Sequence, residues 1–179
     1  MAILGLDDAV VEELCAKAQD EGKKVWPANY NQAGQLVVAG LKADLQSMES
    51  VFKEAGAKRA LLLNMSIASH CPLLESAQAP LAEVMEKMLL DTFAAPVVSN
   101  VTTGKYSNKA DAVALLKDQL VKPVKYKQSI EAIAGEIDMM IEFGNGAVLK
   151  GLNKRNAPDI ETYGISDMDS LAKVCEALA

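Results

Sequence analysis

Residues 25–40 read VWPANYNQAGQLVVAG, and this stretch decides the fold class of the first part of the chain. Its two halves, Val25 to Tyr30 and Gln35 to Gly40, predict β-strands. The intervening Asn-Gln-Ala-Gly at residues 31–34 favours a turn, because Asn and Gly tolerate positive φ. The stretch therefore predicts a β-hairpin.

Strands and helices flank this hairpin on both sides. A strand at residues 2–6 precedes a helix that Asp7 or Asp8 caps, with apolar side chains at helical spacing. After the hairpin, residues 42–55 predict a second helix, and residues 60–65 predict a buried strand. The order strand, helix, strand, strand, helix, strand is typical of a ferredoxin-like subdomain, here residues 1–65.

The remainder of the chain, residues 66–179, predicts a second kind of α/β structure. Strands at residues 97–101, 139–143 and 162–165 alternate with helices. Because alternating strands and helices build parallel sheets, we expect a parallel-sheet core here.

Composition limits the class of function. Half of the residues are apolar and 23% are charged, values that indicate a globular fold. The net charge of −6 disfavours nucleic acids and anionic membranes as general partners. No apolar run suits a membrane span and no basic leader opens the chain. Cys15, Cys71 and Cys175 form no CxxC pair, which predicts reduced thiols, a cytoplasmic location and no metal site.

His70 is the strongest candidate for chemistry, because it alone can act as a base near neutral pH without a large pKa shift. It follows a strand end, where α/β sheets place functional groups. A packed or surface histidine without a role stays open as the alternative. Cys71 is its neighbour, but adjacent residues of an extended chain point to opposite sides. We therefore expect Cys71 to be an inert thiol.

The sequence offers no obvious nucleophile for this base. Ser66, Ser69, Ser99 and Ser129 all lack the flanking glycines of a nucleophile elbow. Gly144-Asn145-Gly146 opens a helix after a strand, so it could bind an anion, but a tight turn is the favoured interpretation. The sequence therefore contains a candidate base, His70, without a serine nucleophile for it to activate.

Several segments, taken in order, resemble the malonyl-CoA:acyl-carrier-protein transacylase family. They are PANYNQAGQLVVAG, GAKRALLLNMS, SIASHCPLLESA, KPVKYKQSI and EFGNGAVLKGLNKR. The third is similar to the motif around the family's catalytic histidine. The chain departs from the family's usual residues at Ala33 and Asn145, where Pro is common, and both changes are conservative for a turn.

The resemblance implies ping-pong transfer of malonyl from coenzyme A to acyl carrier protein in fatty acid biosynthesis, with no cofactor besides the substrate malonyl-CoA. It implies that His70 is the catalytic base and that a main-chain carbonyl at Lys125 orients it. It also places Asn29, Asn31 and Gln35 at the rim of the groove. The serine-bearing segment is not in this sequence, so the resemblance implies the C-terminal part of an enzyme with an α/β-hydrolase-like core.

Partners follow from the same resemblance. Acyl carrier proteins are acidic, and Lys122, Lys125 and Lys127 are the expected docking residues. Ser69 occupies a position linked to the choice between malonyl and methylmalonyl. The apolar surface that the absent segment would cover predicts a tight partner or self-association.

Two other functions compete with this reading. The chain could be a non-catalytic ferredoxin-like module that binds acyl carrier protein, and assays of binding and turnover would separate the two. An RNA-binding sheet is disfavoured by the acidic charge and the 4% aromatic content.

Overall fold

The computed structural model describes residues 1–178, which form two compact units. The first unit is Met1–Ser129, and the second begins at Ile130. This division falls later along the chain than the predicted boundary between residues 65 and 66. Val124, which lies in the first unit, hydrogen-bonds to the first sheet at Ala28 and Tyr30.

A four-stranded antiparallel sheet opens the first unit. Its elements, in chain order, are β1 (Ala2–Leu4), α1 (Asp8–Asp20), β2 (Val25–Gln32), β3 (Gln35–Gly40), α2 (Lys42–Glu54) and β4 (Arg59–Leu61). The strands are arranged in the order β2-β3-β1-β4, and every neighbouring pair is antiparallel. Strands β2 and β3 form the hairpin, and Gly34 has the positive φ that its turn requires (+69°).

Apolar side chains at helical spacing build the core of this sheet. Val11, Cys15 and Ala18 are the buried positions of α1, and Leu45, Met48 and Phe52 are those of α2. Both sets recur every three or four residues, so each helix presents one apolar stripe to the sheet. Phe52 is fully buried in the resulting cluster.

The rest of the first unit contains the elements that follow the first sheet along the chain. It comprises a 3-10 turn (Pro72–Ala77), α3 (Gln78–Met88), β5 (Thr92–Val98), β6 (Lys105–Asn108) and α4 (Lys109–Gln119). Strand β5 pairs with β6 in an antiparallel manner, so the parallel sheet predicted at residues 97–101 is wrong there. The turn at residues 99–104 returns the chain directly, and a direct return places consecutive strands antiparallel.

Helix α5 (Tyr126–Ile133) crosses from the first unit into the second. The second unit then holds β7 (Met139–Phe143), α6 (Val148–Asn156), β8 (Glu161–Ile165) and α7 (Met168–Ala177). Strands β7 and β8 are parallel, as predicted. The Glu142 carboxylate accepts hydrogen bonds from the Leu149 and Lys150 amides, so it caps α6. Within residues 1–178, the helices all lack the length and apolar character needed to cross a bilayer.

Candidate active site

His70 lies in the loop between β4 and the 3-10 turn, with an uncommon backbone conformation. Its φ is +61°, in the left-handed region that few residues other than glycine occupy. Cys71 and Pro72 follow, and Pro72 begins the 3-10 turn. Strained backbone of this kind persists where the surrounding structure enforces it, and it clusters at functional sites. The loop backbone therefore fixes the direction in which the His70 side chain leaves the main chain.

A main-chain carbonyl orients the imidazole of His70. Its Nδ1 lies 2.6 Å from the carbonyl oxygen of Gln119. A carbonyl oxygen accepts hydrogen bonds and cannot donate, so Nδ1 carries the proton in this contact. The neutral ring then has an unprotonated Nε2, which is the atom that a general base uses.

The acceptor is a main-chain carbonyl, as expected, but the prediction that Lys125 supplies it is wrong. The Lys125 carbonyl already accepts the Ser129 amide at 2.8 Å, in the first turn of α5. Gln119 is the last residue of α4, and carbonyls in the last turn of a helix have no partner within it. Its oxygen is therefore available to His70.

A pocket of about 840 Å³ in the first unit opens beside His70. Asn29 and Asn31 of β2 line it, and so do Ser66 and Ser69 of the histidine loop. The structure thus brings two of the predicted rim residues to the histidine. The third, Gln35, is outside the lining, and its side chain accepts a hydrogen bond from Gln32 at 2.8 Å.

Two residues of this region escaped the sequence reasoning. Gln119 escaped it because its role uses the main-chain carbonyl, which no side-chain pattern in the sequence marks. Lys42, at the start of α2, lines the pocket and adds a cation to it. Nothing in the local sequence distinguishes Lys42 from other surface lysines.

The three lysines predicted to dock a carrier differ in their surroundings. Lys127 is about four-fifths buried and pairs with Asp8. Lys122 is half exposed and pairs with Asp118 at 2.7 Å. Lys125 is partly buried. Because its ammonium is paired and its side chain is largely buried, Lys127 is a poor candidate for docking.

The cysteine next to His70 has the properties of a structural thiol. Cys71 is 1% exposed, its Sγ points to the Ala68 carbonyl at 3.6 Å, and burial raises its pKa. Burial also raises the pKa of the Cys15 thiol to about 12. Within residues 1–178, no three acidic, His or Cys side chains cluster in a way that could hold a metal ion.

Alkylation with iodoacetamide at pH 8 should therefore modify Cys175 first. Its side chain is exposed, whereas Cys15 and Cys71 are buried and stay protonated because their pKa values are raised. Modification of Cys15 should begin only as the pH approaches 12 or as the chain unfolds. Peptide mass spectrometry over time measures each site, and rapid labelling of Cys71 in the folded chain would contradict its assignment as inert.

Sequence comparison finds relatives that match this chain along nearly all of its length. No protein-family model matches the chain. Malonyl CoA-acyl carrier protein transacylases match nearly all of it, with 36% identity in Haemophilus influenzae over 99% of this chain and 38% in Escherichia coli K12 over 98%. Each match covers 57% of the relative, so the chain spans little more than half the length of these proteins.

Solved structures agree with the sequence matches. The malonyl-CoA:acyl carrier protein transacylase of Helicobacter pylori superposes with a TM-score of 0.93 at 41% identity, over 99% of this chain and 56% of that one. A malonyl-transacylase in complex with a type II polyketide acyl-carrier protein gives 0.92 at 34% identity, over 98% of this chain and 57% of that one. The chain is therefore homologous, over nearly its full length, to the C-terminal part of the malonyl CoA-acyl carrier protein transacylases.

Proposed function

We propose that this chain is the histidine-bearing part of a malonyl-CoA:acyl carrier protein transacylase that acts in the cytoplasm in fatty acid biosynthesis. The observation that carries the proposal is the contact between His70 Nδ1 and the Gln119 carbonyl. It leaves Nε2 able to take a proton at the edge of a pocket large enough for a thioester arm. Homology to the transacylases supplies the substrate class.

His70 would move one proton in each half-reaction. In the first, Nε2 takes the proton of a serine hydroxyl as its oxygen attacks the malonyl thioester, and then gives that proton to the departing coenzyme A thiolate. In the second, Nε2 takes the proton of the carrier's phosphopantetheine thiol as its sulfur attacks the malonyl-serine ester. That proton returns to the serine oxygen, so the enzyme is regenerated.

The serine of this scheme lies outside the 179 residues, because no Gly-x-Ser-x-Gly occurs in them. We assign it to the part of the relatives that this chain does not match. In that arrangement the four-stranded sheet is a ferredoxin-like subdomain, as its element order and antiparallel strand order suggest. The later elements belong to an α/β-hydrolase-like core.

Exposed apolar side chains support the need for a covering segment or a second copy. Met65, Met88, Leu90 and Phe143 are each more than 70% exposed. Exposed apolar residues that lie together in one patch mark a surface that binds protein. The serine-bearing segment is the occupant we favour, and self-association is the alternative for the isolated chain.

The pocket polar groups would orient the substrate. Asn29 and Asn31 present amide groups from β2, and Ser66 and Ser69 present hydroxyls from the histidine loop. Such groups suit the amides of a phosphopantetheine arm and the carboxylate of a malonyl group. Ser69, adjacent to His70, is the side chain that we expect to influence acyl choice.

In an enzyme reconstituted from this chain and the N-terminal part of a relative, charge reversal at Lys122 and Lys125 should raise the KM for acyl carrier protein about tenfold, because the carrier is acidic. The KM for malonyl-CoA should change little. Lys17→Glu is the matched control, since α1 contributes no residue to the pocket. Steady-state kinetics with each substrate varied separately measure the effect, and equal increases in both KM values would remove the docking role.

The second candidate function is a non-catalytic module that binds acyl carrier protein. The absence of a nucleophile elbow from these 179 residues favours it for the isolated chain. Calorimetry with holo-acyl carrier protein and a radiolabelled malonyl transfer assay separate binding from turnover. Binding without transfer is the expected result for the chain alone.

Reconstitution tests the proposed function. The chain is co-expressed with the remaining N-terminal part of the Helicobacter pylori relative, which is 41% identical over the matched part. We expect a complex that transfers malonyl from coenzyme A to acyl carrier protein and that loses activity when the serine of the added segment is replaced by alanine. A complex that forms but transfers no malonyl would overturn the proposal.

A further inference from the structure

The segment that follows the His70 acceptor is bonded to the first sheet. We call residues 120–125 the clasp. Val124 lies parallel beside edge strand β2 at Asn29. Its amide donates to the Ala28 carbonyl and its carbonyl accepts from the Tyr30 amide, both at 2.8 Å. The clasp thus joins the end of α4, where the acceptor lies, to the strand that lines the pocket.

A second contact fixes the far end of the clasp. Lys125, its last residue, donates its amide to the Asn100 carbonyl at 2.8 Å. Two residues later, the ammonium of Lys127 pairs with the carboxylate of Asp8, a residue 119 positions away in the sequence. Asp8 begins α1, and Lys127 lies in the first turn of α5. Both residues belong to the first unit.

The Asp8–Lys127 ion pair is more deeply buried than the nearby Asp118–Lys122 pair. The side chains of Asp8 and Lys127 are 20% and 19% exposed, and Oδ1 of Asp8 is buried without a hydrogen-bond partner. Lys127 therefore supplies the compensation for a largely desolvated carboxylate, and removing it leaves a buried charge uncompensated. Lys122 and Asp118 form a local pair at 53% and 35% exposure, where water screens the charges.

We propose that Asp8 and Lys127 form a positioning pair for His70. By fixing the start of α5 they hold the clasp against β2, and the clasp in turn sets the Gln119 carbonyl at hydrogen-bonding distance from Nδ1. Hydrogen bonds weaken within a few tenths of an ångström, so a small displacement of the clasp releases the ring. The inference rests on the proposed function only where it assigns the resulting tautomer a catalytic use.

Nuclear magnetic resonance of the imidazole tests the inference on the 179-residue chain. His70 is the single histidine, so its two ring nitrogens are assigned without ambiguity. At pH 8, 15N spectra of the neutral ring should show Nδ1 protonated and Nε2 unprotonated. In Lys127→Met and in Asp8→Asn, the ratio of the Nδ1–H to the Nε2–H tautomer should fall about fivefold, which corresponds to one net hydrogen bond of ~1 kcal/mol.

Two controls separate positioning from general stability. Lys122→Met removes a lysine from the clasp itself, but its pair is local, so the tautomer ratio should stay at the wild-type value. Lys127→Arg keeps the charge and should restore the ratio. The tautomer ratio is measured without malonyl transfer. A failed reconstitution would therefore count against the proposed function and leave this inference standing.

An unchanged tautomer ratio in folded Lys127→Met and Asp8→Asn would overturn the inference. Fluorescence of Trp26 on β2 reports whether the sheet is intact in each variant. If Lys127→Met does not fold, Asp8→Asn decides the question, because it keeps the shape of the side chain and removes its charge. A fall in the ratio in Lys122→Met of the same size would also overturn the inference, since any loss of charge in the clasp would then suffice.

Discussion

Replacement of His70 by alanine in the reconstituted enzyme should lower kcat for malonyl transfer by about 10⁴- to 10⁶-fold, the range for loss of a base that acts together with its nucleophile. The reason is geometric. Nε2 is the atom that the Gln119 contact leaves unprotonated, and the pocket beside His70 offers the space for the reacting thioester. Single-turnover kinetics with radiolabelled malonyl-CoA measure formation of the malonyl-serine ester directly.

Two neighbouring substitutions provide matched controls. Gln119→Ala removes a side chain but keeps the carbonyl that His70 uses, so kcat should change by less than about threefold. Cys71→Ala removes the adjacent buried thiol and should have a similarly small effect on kcat, because that thiol is protonated and turned to the Ala68 carbonyl. If the Cys71→Ala variant were as inactive as the His70→Ala variant, the catalytic role would belong to the cysteine.

The first sheet was predictable because its signals are local. The turn at residues 31–34 and the apolar spacing of α1 and α2 each depend on residues that are close together in the sequence. The structure forms the hairpin, α1 and α2 at these positions. The pairing of β5 was not predictable in this way. Strand β6 is short, and its Lys-Tyr-Ser-Asn sequence carries no strong strand signal, so the antiparallel partner of β5 went unseen.

The sequence allowed the candidate base of the site to be predicted, but not the hydrogen bonds and ion pairs that hold it. His70 could be singled out because its imidazole is chemically unique in this sequence. Its acceptor could not be placed, because every residue has a carbonyl and only the fold decides which one is free and near. The Asp8–Lys127 pair joins residues 119 positions apart, a separation at which sequence spacing carries no information.

Replacement of Phe52 by alanine should destabilise the first unit by about 3–5 kcal/mol, the cost of removing a large buried side chain and leaving a cavity. Phe52 has no exposed surface and lies in the cluster that joins α2 to the sheet, with Ile3 and Leu36 among its members. Natural domains are stable by only about 5–15 kcal/mol, so this substitution should remove a large part of the total.

Urea unfolding followed by the fluorescence of Trp26 measures this loss. Trp26 is the single tryptophan and lies on β2, so its signal reports the four-stranded sheet. Leu41→Ala is the matched control: Leu41 precedes the same helix, its side chain is 46% exposed, and its truncation should cost about 0.5 kcal/mol or less. If Phe52→Ala and Leu41→Ala shifted the midpoint equally, the core would not lie between α2 and the sheet. A large shift confined to Phe52→Ala, with the slope of the transition unchanged, would show that the sheet draws its stability from this cluster.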